Sequence, residues 1–127
     1  MTITESLPYG IIKSQLKKTD KIGIVSCSAC VSFCETGGKE KMDELAERLI
    51  KDGFNVVDKD LIGIACDLEQ VKKIEFEGDV IIVLSCDAGV YNIKKMVGYK
   101  KVIPALNTVG IGVRDAQGNI NLVRKFG

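Results

Sequence analysis

Apolar and polar positions alternate along this chain in two distinct rhythms. Lys21 to Ser26 (KIGIVS) and Val80 to Ser85 (VIIVLS) are short, nearly unbroken apolar runs, the pattern of strands buried on both faces. Phe54 to Asp58 and Lys101 to Ala105 supply two more strand candidates. Between them the period changes. Met42, Leu45, Ala46 and Leu49 fall on one face of a helix predicted over Lys39 to Asp52, which Gly53 stops. Glu44/Arg48 and Glu47/Lys51 are placed to form i,i+4 pairs, and Thr36 is the expected N-cap. Leu68, Val71 and Ile74 mark a second helix over Asp67 to Phe76. A third, capped by Asp87, carries Val90, Ile93 and Val97 and ends at Gly98.

The resulting order, β-α-β-α-β-α-β, predicts an α/β fold: a small doubly wound, Rossmann- or flavodoxin-like parallel sheet with helices on both faces. At the N-terminus Ile11, Ile12 and Leu16 recur at helical spacing after Pro8, so residues 1–20 are expected to form a lead-in helix. Residues 111–127, with Asp115-Ala116-Gln117-Gly118 at their turn, are expected to form a terminal hairpin. A chain of 127 residues matches one cysteine-rich domain, residues 1–127, and 46% apolar residues suffice for a core.

Charge narrows the function classes. Lysine and arginine total 18 against 17 acidic residues, so no net field points to nucleic acid or to an anionic membrane. The first residues lack the basic start and apolar centre of a signal peptide, and no 18-residue apolar run occurs. A cytoplasmic protein is therefore expected. There is no histidine, which removes imidazole ligands, catalytic triads and imidazole proton shuttles.

The five cysteines are the chemistry-bearing residues. Cys27, Cys30 and Cys34 form C-x2-C-x3-C directly after the first buried run; Cys66 precedes the second helix and Cys86 follows the third strand. All five sit in strand-to-helix connections, which a doubly wound sheet gathers at its carboxyl edge. Four thiolates are the ligand set of a [4Fe-4S] cluster and equally of a structural zinc. One triplet with two singletons is unlike the paired knuckles of zinc sites, and iron–sulfur is the preferred expectation. Helical spacing groups Cys30 and Cys34 with Cys66 and Cys86, leaving Cys27, nearest the strand, as the spare thiol. Two readings without a metal stand beside these. The cysteines can be small core fillers, or Cys27-Ser28-Ala29-Cys30 can be a thiol-redox pair, for which Glu35, Glu40 or a lysine would have to act as base. Gly37-Gly38 is read as room for a cluster or for tight packing, and Pro104 to Gly110 as a turn in which Asn107 and Thr108 are possible donors.

Four segments in order, CSACVSFCETGGKEK at Cys27 to Lys41, Cys66 with its acidic helix, VLSCDAGV at Val83 to Val90 and PALNTVG at Pro104 to Gly110, resemble the cysteine-rich C-terminal or small-subunit domain that accompanies methylenetetrahydrofolate reductases. The resemblance spans roughly residues 20 to 112. It implies metal ligands at Cys27, Cys30, Cys34, Cys66 and Cys86, and an accessory, non-catalytic role in electron transfer. The implied partner is a flavin-containing methylenetetrahydrofolate reductase-like subunit or another one-carbon or corrinoid enzyme. Longer members carry a second cysteine group; this chain has none beyond Cys86, so at most one cluster is implied. A chain this short has no room for a flavin or folate barrel.

Overall fold

The computed structural model describes all 127 residues. Four parallel strands form its centre: β2 (Lys21–Cys27), β3 (Asn55–Ile62), β4 (Val80–Leu84) and β5 (Lys101–Pro104), in the spatial order β3-β2-β4-β5. The crossovers carry α2 (Cys30–Phe33) and α3 (Lys39–Lys51), then α4 (Leu68–Val71), then α5 (Asp87–Val97). All five side chains of β4 are buried, and they divide by the two-residue period of a strand. Val80, Ile82 and Leu84 join Met42, Ala46 and Leu49 of α3 in one core; Ile81 and Val83 join Val71, Val90, Ile93 and Val97 of α4 and α5 in the other. Both faces of the sheet are therefore covered, and the sheet is doubly wound. Its chain order reverses at β2, so the switch-point crevice opens where the loops leaving β2 and β4 diverge, the usual ligand position in such sheets.

The ends of the chain differ from expectation. The predicted lead-in helix over residues 1–20 is instead a strand, β1 (Thr2–Ser6), and a short helix, α1 (Tyr9–Lys13), which buries Ile12. Pro104 to Gly110 is not a turn. It runs into β6 (Leu106–Arg114), which pairs antiparallel with β1 on one side and with β7 (Ile120–Lys125) on the other. The expected terminal hairpin is thus present as part of a three-stranded sheet completed by the N-terminus. Asp115 closes its turn by accepting the Gln117 and Asn119 N–H groups, which holds the carboxyl below its ordinary range. Gly110 is required here, because a β-carbon would strike the Arg124 carbonyl across the ladder.

Local details also shift. The second helix is one turn long, although Ile74 and Phe76 still pack on the same core. Thr36 does not cap α3; Gly38 occupies that place, and the Thr36 hydroxyl meets the Thr4 hydroxyl at 2.7 Å. Asp87 is the first residue of α5 and Cys86 stands in the cap position. Within α3 the ion pairs are Lys39–Asp43 and Lys41–Glu44 in place of the expected pairs, and Asp43 also pairs with Lys59 of β3.

Strand β3 forms one edge of the sheet, and there Asp60 sits beside Asp58 and Glu77. Burial first, then a hydrogen bond with Asp58, then the charges of Asp58 and Glu77 push the Asp60 carboxyl up to about 7. A raised carboxyl pKa means that the folded chain holds a proton that the unfolded chain releases near pH 4. Stability conferred at low pH is therefore lost as pH rises toward 7. Asp60→Asn should remove this slope and stabilise the protein at pH 8 by on the order of 1 kcal/mol, a figure reduced for solvent screening at a half-exposed edge. Urea denaturation at pH 5 and pH 8 would check it; equal effects at both pH values would rule the account out.

Candidate metal centre

The cysteine loops are held together by hydrogen bonds between strands that are neighbours only in space. In the loop after β2, the Ser28 N–H donates to the Ile62 carbonyl, and the Ser28 hydroxyl lies 3.1 and 3.2 Å from the carbonyls of Ile62 and Gly63. This latches it to the loop after β3. The Asn92 side chain of α5 donates to the Ala65 carbonyl, joining that loop to the one after β4. The Asp87 N–H donates to the Thr108 hydroxyl of β6 at 3.0 Å, so the antiparallel sheet closes over the carboxyl edge. Asn107, the other residue singled out there, donates to Glu5 of β1.

Each thiol has a distinct setting. Cys27, the last residue of β2, is buried, and its sulfur accepts the N–H groups of Ala29 and Ala65 at 3.4 Å each. Its own S–H reaches only the Gly63 carbonyl, at 3.9 Å. Two amide donors thus converge on one sulfur. Cys30 opens α2 and is half-buried; Cys66 is exposed; Cys86 is half-buried at the start of α5. Burial pushes the Cys66 thiol up, with further upward contributions from Cys86, Cys27 and, last, Cys30. Cys86, Cys27 and Cys30 each therefore lie within electrostatic reach of Cys66. Cys34 faces elsewhere: it follows α2 at its C-cap and its S–H points to the Thr2 carbonyl of β1, at 3.8 Å. All five thiols are free, and no three Cys, Asp or Glu side chains stand close enough together to hold a single metal ion.

Gly37 and Gly38 serve the loop itself. Their N–H groups donate to the Val31 carbonyl and the Ser26 hydroxyl, and a β-carbon on Gly37 would press into Val31. Gly38 also has φ +89°, a region that favours glycine. The pair thus packs the loop and presents no amides to a phosphate. Three contributors were not singled out in the sequence: Ser28, Asn92 and Ser85. Asn92 had a signal, a polar residue among Gly89, Val90 and Ile93 on the buried face of α5. Ser85 is 2% exposed and its hydroxyl has no hydrogen-bond partner.

Comparison of the chain with known protein families, with curated proteins and with solved structures finds no match. No helix is long and apolar enough to cross a membrane.

Proposed function

We propose that this chain holds one [4Fe-4S] cluster on Cys27, Cys30, Cys66 and Cys86 and serves as an electron-transfer subunit of a cytoplasmic one-carbon oxidoreductase. A flavin-containing methylenetetrahydrofolate reductase-like protein is the partner the motif resemblance favours. The reading is supported by the influence of Cys86, Cys27 and Cys30 on the Cys66 thiol from neighbouring loops at the carboxyl edge, while Cys34 is turned toward β1.

The donor set suits this group. Four thiolates satisfy a cubane. For zinc, three loops would have to close inward from their present spacing. When bound, the cluster supplies one-electron transfer. The chain's own part is to set its environment. The amides of Ala29 and Ala65 donate to the Cys27 sulfur and offset negative charge there, and such hydrogen bonds tune the potential. Ser28 and Asn92 hold the three loops in register.

Protein purified without oxygen should be brown and contain about four iron and four sulfide per chain. Colourless protein with one zinc per chain would replace this reading with a structural zinc subunit. Protein without metal that instead reduces disulfides would favour the thiol-redox reading.

A further inference from the structure

A second concave site lies away from the cysteines, between α1, α3 and the start of β6. It is a cleft of about 260 Å³, just below the range of about 300–1,000 Å³ usual for organic ligands. Leu7, Ile12, Leu45, Leu84 and Leu106 give it an apolar wall, and its charged lining residues are Arg48, Lys41 and Glu44, two cations to one carboxylate.

The setting of Arg48 decides what the cleft would recognise. Its guanidinium lies over the Tyr9 ring, 3.8 Å from the centroid. That ring is fixed in turn, because the Tyr9 hydroxyl donates to Asp52 at 2.6 Å. Burial and this bond push the Tyr9 pKa up to about 12, so the ring stays neutral beneath the cation. Stacking occupies the face of a guanidinium and leaves the N–H fork at its edge available. No salt bridge engages Arg48: Glu44, one helical turn away, pairs with Lys41 at 3.5 Å, and Asp52 pairs with Lys13 at 3.4 Å. The cleft thus combines an apolar wall with a positioned, unpaired guanidinium, whose geometry matches a carboxylate.

We propose that this cleft binds a small organic acid with a flat apolar body, its carboxylate held by Arg48 and its body against Leu45 and Leu106. The site is independent of the metal centre and stands whether or not a cluster is bound.

Phenylacetate and its uncharged analogue phenylacetamide are suitable probes, titrated into the full chain while backbone amide resonances are followed by NMR. Phenylacetate should give saturable shifts at Leu7, Leu45 and Leu106, and phenylacetamide should bind at least about tenfold more weakly. Arg48→Met, an exposed helix position whose replacement keeps the apolar stem, should weaken phenylacetate about tenfold and leave phenylacetamide unchanged. Absence of saturable shifts at these residues, equal binding of the two probes, or undiminished binding to the variant would each overturn the proposal. The comparison of the two probes on the unaltered protein does not depend on how the variant folds.

Discussion

Cys66→Ser is expected to lose bound iron and sulfide almost completely, whereas Cys34→Ser is expected to keep both. Cys66 is exposed and belongs to neither core, so its replacement should leave the stability of the metal-free chain within about 0.5 kcal/mol. Loss of the centre would then report ligation and not misfolding. Cys27→Ser should also lose the centre, because the Cys27 sulfur lies at the meeting of the β2 and β3 loops. Its apo form should be somewhat less stable, since a buried core position receives a hydroxyl. Cys34 points at β1 and stands outside the group. If Cys34→Ser abolishes the centre while Cys27→Ser retains it, the ligands are instead Cys30, Cys34, Cys66 and Cys86. Iron and sulfide assays on the five single variants, with thermal melts of their apo forms, make the distinction.

The second large effect is expected at Gly89, in the first turn of α5. A β-carbon there would collide with the Ser85 hydroxyl and press on Ala65, and Ala65 both donates to Cys27 and precedes Cys66. Gly89→Ala should therefore destabilise the fold by about 1–3 kcal/mol, as overpacking of a close-packed interior does, and lower the melting temperature by roughly 3–10 °C. It should also reduce cluster occupancy, since relief of the clash moves Cys86 or the Ala65 loop. Ser85→Ala alone removes a buried hydroxyl without a partner and is expected to be neutral or stabilising by about 1 kcal/mol. In the double variant the closest contact is gone while those to the Ala65 and Ser85 β-carbons, at 2.9 Å each, remain, so Ser85→Ala should recover part of the loss caused by Gly89→Ala. Strictly additive effects in chemical denaturation would contradict the packing account.

The parallel half of the fold was legible because its determinants are local. Val80 to Leu84 is apolar at every position, which only a strand covered on both faces requires, and α3 carries its apolar stripe with a glycine just past its end. The antiparallel half was not. The TITES segment of β1 has no clear alternation, and its partner lies about a hundred residues away in the register Thr2↔Ile111. Its strand character comes from that pairing. The same pairing turned Leu106 to Gly110 from an expected turn into part of β6. At α4, the spacing of Leu68, Val71 and Ile74 marked what is to be packed and not how far the helix runs.

For the candidate centre, the placement of all five cysteines in strand-to-helix connections could be read from the chain, because sheet topology alone puts such connections at one edge. The direction of each thiol could not. Cys30 and Cys34 are separated by one helical turn, yet α2 ends at Phe33, and Cys34 follows at its C-cap facing the Thr2 carbonyl of β1, a strand absent from the expected fold. Cys27, expected to turn into the core, does lie in the core, and its sulfur there also accepts the amides of Ala29 and Ala65. The missed strand bears on Cys34 alone, whose S–H points to it, and is the reason that the proposed ligand set takes Cys27 in its place.

X-ray absorption at the iron edge of protein purified without oxygen tests the central claim most directly. The account predicts a first shell of sulfur alone together with a second shell of iron neighbours, as in a cubane, and loss of both in Cys66→Ser. An iron site with no iron neighbours, or a signal at the zinc edge alone with an all-sulfur shell, would contradict it.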